Sequence, residues 1–343
     1  MSRRMCLLAA LLLARVASAS GLPTTRGDIA IANLDLLIAR HVAHGRPSDA
    51  ATDELLLMRA RYLGDYAALE RGAAFADADA PDAAALLRRA RARAAVHRFS
   101  AALVDLAAAE RLGADTAAVF RLRVPVRIAQ GAATEMIPAL EAAAIRDPGF
   151  TNASALATAY AGAGRYAQAD REFQAALDAL DTTSPFPYAW LCFARGTMWA
   201  EQAGDPVRGA AHLRRALDYL PGFVAARLHL AEIDARRGAD AAAVERLAGV
   251  ADSGDPEVLA LLGRLHAATD AVRGAREIAV ARARFEALLA RYPLAFADHA
   301  AEFFLGVGKD PARALDLASQ NYAERWTPRA RELLERARLA QVR

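Results

Sequence analysis

Small and large apolar residues follow one another along this chain with the spacing of helices, and the same order of sizes returns about every 34 residues. The clearest stretch runs from Phe150 to about Thr183. There Leu156, Ala157, Tyr160, Gly164, Tyr166, Ala169, Phe173 and Ala176 fall at places 7, 8, 11, 15, 17, 20, 24 and 27. Two amphipathic helices joined at Gly164 are predicted. Small residues at places 8 and 20 let the two backbones approach, large ones at 7, 11 and 24 fill the space between them, and glycine at 15 supplies a left-handed turn. Laid along the chain, this frame puts unit starts at 50, 83, 117, 150, about 187, 224, 256 and 294. Pro148, Pro221 and Pro293 end second helices, since proline cannot continue them. Pro125, inside a first helix, is expected to kink or break it.

No single hairpin of this kind buries its apolar side, so neighbours must stack. Asp28 to His44, with Ile29, Ile31, Leu34, Leu37 and Ile38 on one face, reads as a helix covering the first unit. Pro328 to Val342, carrying Arg329, Arg331, Glu332, Glu335, Arg336 and Arg338, reads as the closing helix with a wet outer side. The segment AYAGAGRYAQADREFQAAL and its spaced counterparts resemble the tetratricopeptide repeat (TPR). The fold this implies is all-α, a right-handed α-solenoid of about eight hairpins. The expected organisation is residues 20–49 as an N-terminal segment and cap, 50–327 as repeats, and 328–343 as a C-terminal cap. DTTSPFP, residues 181–187, marks a loop that could hinge two half-solenoids, and the units from 187 and 256 need longer helices or loops.

Residues 1–19, MSRRMCLLAALLLARVASA, place Arg3 and Arg4 before an apolar run and the small triplet Ala17-Ser18-Ala19, the layout of a secretory signal peptide. The run from Cys6 to Ala14 is far shorter than the roughly 20 residues a membrane span requires. Export to a bacterial periplasm or envelope is therefore expected, with no permanent membrane span. Removing Arg3, Arg4 and Arg15 takes 43 basic residues to 40, against 40 acidic ones, so the basic pI gives no support to nucleic-acid binding. Cys192 would then be alone and unable to form an internal disulfide.

Candidate chemistry is sparse. No phosphate-binding loop, metalloprotease helix, nucleophile elbow or paired-cysteine motif occurs, so no enzyme, cofactor or metal is expected. His41 and His44 share a helix face but read as solvent-facing, Cys192 beside Phe193 reads as a small core residue, and Arg88, Arg89, Arg91 and Arg93 as a solvated basic face. By the resemblance, a ligand lies along the concave face of the first helices. The corresponding residues include Arg61, Arg91, Arg121, Arg195, Met198, Trp199, Glu232, Arg236, Arg264, Asp298 and Glu302. Arginine forks suit carboxylates, and Trp199 offers an apolar anchor, so an extended peptide or an acidic segment of a protein partner is the expected ligand. The alternative is a small-ligand or envelope-polymer binder using a pocket near residues 181–187.

Overall fold

The computed structural model describes residues 24–45 and 49–342; the expected signal peptide lies outside them. Among the described residues there are eighteen α-helices and no strand. A leading helix, α1 (Gly27–Ala43), precedes eight hairpins. These are α2 and α3 (Ala50–Leu63, Tyr66–Gly72), α4 and α5 (Ala83–Ala95, Phe99–Arg111), α6 and α7 (Thr116–Gln130, Ala133–Arg146), and α8 and α9 (Phe150–Gly162, Tyr166–Asp178). Then follow α10 and α11 (Pro185–Thr197, Pro206–Tyr219), α12 and α13 (Val224–Arg236, Asp240–Ala248), α14 and α15 (Pro256–His266, Ala271–Arg291), and α16 and α17 (Pro293–Leu305, Pro311–Glu324). The closing helix is α18 (Pro328–Gln341). First helices thus begin within two residues of the spacing read from the sequence.

The hairpins close as their residue sizes require. Ala157, Ala169, Phe173 and Ala176 are buried to 1% exposure or less. In the seventh unit the small residue is Gly263, where a Cβ would stand 2.8 Å from Ile278 Cγ1 and 2.9 Å from the carbonyl of Gly274. The two glycines let α14 and α15 touch backbone to backbone. At place 15 the chain turns left-handed, with φ of 75° at Gly164; the second unit puts His97 there instead, at φ 57°.

The long units have distinct causes. The fifth contains a π turn, Met198–Gln202, appended to α10, and the seventh a 21-residue second helix. The first has a short α3 followed by a 3₁₀ turn, Ala74–Asp77. Pro125 neither ends nor splits α6, correcting the expectation of a break. It removes one backbone donor, but Val119, Val124 and Val126 are buried against neighbouring helices, which hold the helix across the lost bond.

Nearest-neighbour stacking accounts for three of the apolar clusters, spanning α4 to α6, α6 to α10 and α12 to α14. The other two join the ends of the chain to distant units. Ala30, Leu34 and Ile38 of α1, with Tyr62 of α2, share a cluster with Leu213, Leu220 and Phe223. Leu69 and Val96 share another with Phe285, Phe296, Phe304 and Leu333.

These long-range contacts follow a regular offset. The turn of the first hairpin, at Gly64, lies against Ser253 and Asp255 in the connection between units six and seven. That of the third, at Gly131, lies against Trp326 beyond unit eight, and Trp326 N–H donates to the carbonyl of Gln130 at 3.0 Å. Thr25 N–H likewise donates to Thr183 O at 2.7 Å, pinning the 181–187 loop. The solenoid is wound so that its early turns rest on its late connections.

Candidate functional site

A charged strip runs across α12, α14, α16 and α18. The π turn starts it. Its extra residue per turn sends Trp199 back onto α9, where Nε1 donates to Asp170 Oδ1 at 2.7 Å, and sends Glu201 towards α12. Gly209 of α11 allows this path, because a Cβ there would lie 2.5 Å from Ala200 Cβ.

Opposite Glu201, His229 and Glu232 stand one turn apart on α12. His229 Nδ1 is 2.5 Å from Glu201 Oε1 and 3.6 Å from Glu232 Oε2. The other oxygen of Glu201 accepts from Arg329 Nη1 at 2.6 Å. Further along, His299 of α16 places Nδ1 2.9 Å from Glu257 Oε2 and Nε2 3.8 Å from Asp298 Oδ1. Arg325 Nη1 donates to Asp298 Oδ2 at 2.8 Å, and Arg336 pairs with Glu302.

The electrostatics follow from crowding. Glu257 and Asp298 together push His299 up to about 10. Burial would raise Glu201, but His229 and Arg329 outweigh it and hold its carboxyl down to about 2. Burial would lower His229, and Glu201 and Glu232 reverse that. Glu232 is raised by burial, which outweighs the pull of His229, and Glu257 and Glu201 add to the rise. Asp255, at the N-cap of α14, is pushed up to about 6 by burial and by Glu257. His97, from the second hairpin, is lowered to about 4 by burial and by Arg325.

The residues singled out from the sequence divide into two groups. Glu232 and Glu302 occupy the ninth place of their units and belong to the strip, as does Asp298. Arg264 occupies the same place between them, exposed, with no ion pair among the described residues. Arg236 is exposed at the end of α12. Arg61 is exposed on α2 with no ion pair among the described residues, and the rest are engaged elsewhere. Arg195 grips Asp170 with two bonds, of 2.6 and 2.7 Å, and its Nη1 donates to Gln174. Trp199 shares that carboxylate, with Arg208 stacked 4.6 Å from its ring centre, while Met198 is buried. Arg91 pairs with Glu54 at 2.8 Å and Arg121 lies 3.8 Å from Asp115.

The basic cluster on α4 is a correction: it is a paired layer, not a solvated face. Arg89 and Arg93 both bind the buried Asp105, and Arg88 binds Asp53 at 2.6 Å. Burying two carboxylates between helices requires such cations. Glu201, His229, Glu257, His299 and Arg325 were not picked out from the sequence; Arg329 and Arg336 were expected on the wet outer side of the closing helix, whereas they stand on the strip and pair with Glu201 and Glu302.

Cys192 is buried and its thiol is pushed up to about 11 by burial, which leaves little thiolate at neutral pH. His41 hydrogen-bonds Thr52 Oγ1 at 3.0 Å, and His44 Nδ1 donates to the carbonyl of Arg40, so the two rings have separate partners. Beside the 181–187 loop lies an open depression of about 300 Å³, walled by Leu34, Leu37, Leu55, Met58 and Phe186. No charged side chain among the described residues lines it.

No helix among the described residues is long and apolar enough to cross a membrane. No curated protein matches the chain. Among solved structures it is similar to a tetratricopeptide repeat protein from Parabacteroides merdae, at 15% identity over 75% of this chain and 98% of that one, TM-score 0.43. It is similar also to a thermophilic TPR protein of Thermus thermophilus, at 20% identity over 58% of this chain and 98% of that one, TM-score 0.40. The family model described as tetratricopeptide repeat matches residues 200–265, the span of the π turn, α11, α12, α13 and most of α14. Residues 200–265 thus match the tetratricopeptide repeat, and the hairpin of that span recurs from α2 to α17.

Proposed function

We propose that this protein is an exported, non-catalytic scaffold that holds a protein partner, through an acidic segment, along the strip of α14, α16 and α18. The observation that carries the reading is Arg264. It is exposed and without an ion pair among the described residues, at the place where the neighbouring first helices carry Glu232 and Glu302. Arg329 and Arg336 stand on the same strip with side chains 64% and 47% exposed, so each guanidinium keeps donors beyond the one given to its glutamate. The arginines at 91 and 195 are held by this chain's own acids and are not part of the surface proposed. A strip fixed by stacked helices loses little entropy on docking.

The test is a photocrosslinking residue installed at position 264, at 336 and, as a control, at exposed Val280 on second helix α15. A crosslink to one partner from 264 and 336, lost when Arg264→Glu is introduced alongside the 336 probe, supports the reading. Crosslinks from the α15 control alone overturn it. The export part is supported by Arg3, Arg4, the apolar run and the Ala17-Ser18-Ala19 triplet. Finding the intact Met1 on protein retained in the cytoplasm would overturn that part.

A further inference from the structure

The start of the strip holds a combination of groups that no ion pair fully accounts for. Three ligand-type side chains converge there: Glu201 from the π turn, and His229 and Glu232 from successive turns of α12. One donor atom from each lies within 4.8 Å of the other two. His229 Nδ1 is itself fully buried, faces both carboxylates, and makes no hydrogen bond of acceptable geometry. Glu232 has no arginine ion pair among the described residues, its contact being to this imidazole.

We infer that Glu201, His229 and Glu232 form a binding site for a divalent transition-metal cation of the zinc class. The chemistry of the donors selects that class: an imidazole nitrogen with two carboxylates suits zinc or cobalt, whereas magnesium and calcium favour oxygen alone. Ligands about 2.0–2.2 Å from a common ion stand at most roughly 4.3 Å apart, so small rotations of the two glutamates close the present spacing. The i, i+3 placement of His229 and Glu232 lets one helix supply two ligands, and the third comes from a turn whose path is fixed by Gly209 against Ala200. Arg329, on the far oxygen of Glu201, orients that carboxylate from outside, as outer-shell partners of metal ligands do. Three protein ligands leave a coordination position for water or a partner's side chain. This goes beyond the docking proposal and does not depend on it, because it is read on the protein alone.

The test is titration of the purified full-length chain with zinc chloride by calorimetry, and with cobalt chloride by visible absorption. One saturable site per chain is expected, with cobalt d–d bands of the intensity a site with a nitrogen ligand gives. His229→Asn and Glu232→Gln should each weaken binding at least tenfold while the circular dichroism stays helical. No stoichiometric site in the wild type would overturn the inference. So would binding unchanged in both variants, or binding lost only in the His41→Asn, His44→Asn double variant. Should His229→Asn fold poorly, Glu232→Gln decides the matter, since zinc binding unchanged in that variant would overturn the inference.

Discussion

The hydroxyl of Tyr66 donates to Asp255 Oδ2 at 3.2 Å, joining residues 189 apart in the chain. Tyr66 opens the second helix of the first unit, its ring meets Phe296 edge-on at 4.9 Å between centroids, and Asp255 caps the first helix of the seventh unit. Units that share no sequence boundary therefore share side chains. An ideal array is stabilised by each repeat and its two neighbours alone; here the winding adds contacts between distant units.

Tyr66→Phe should remove the bond while keeping the ring, costing about 1–2 kcal/mol, and Tyr66→Ala should remove both, costing about 3–5 kcal/mol. Hydrogen exchange is the measurement: in Tyr66→Ala, amides of α14 as well as α3 should lose protection. Loosening confined to α2 and α3 would show that the distant contact carries no energy.

Arg195 and Arg264 should respond oppositely to charge reversal. Arg195→Glu places a carboxylate against Asp170, whose own carboxyl is held low by Arg195 and Trp199 despite burial, and should cost about 2–4 kcal/mol in chemical denaturation. Arg264→Glu, at an exposed position, should change stability by less than about 0.5 kcal/mol.

Gly209→Ala should destabilise by about 1–3 kcal/mol, because the added methyl meets Ala200 at 2.5 Å and its backbone nitrogen at 2.8 Å. The relief available is movement of the π turn, so the variant should also weaken the bond from Trp199 to Asp170. Trp199 fluorescence read beside the denaturation midpoint checks both effects.

His299 is held at about 10 in the folded chain against about 6.5 when free, so folding favours its protonated form. Its contribution to stability is complete below about pH 6.5 and is lost as the pH climbs through about 10. Asp255, raised to about 6, acts with the same sign in a lower window, losing its contribution between about pH 4 and 6. Melting temperatures measured from pH 7 to 10 should fall in the wild type and fall less in His299→Gln.

Much of the fold was readable along the chain because a hairpin is a local object. Leu156, Ala157, Tyr160, Gly164 and Phe173 lie within a single unit, and each specifies a helix face, a close approach or a turn through bonds to residues a few places away. The starts of the first helices follow directly. The site was legible only in part, and Arg195 shows why. Its place in the repeat is that of a groove residue, yet Asp170 sits on the preceding second helix at bonding distance and takes it.

The amino-acid order, taken alone, settled the repeat, its period and the helices at either end, since these depend on contacts between neighbours in the chain. The assembled fold settled which charges meet. Tyr66 reaches Asp255, Arg329 reaches Glu201 and Trp326 reaches Gln130 only because small rotations from one unit to the next accumulate over several units, and no single unit records their sum.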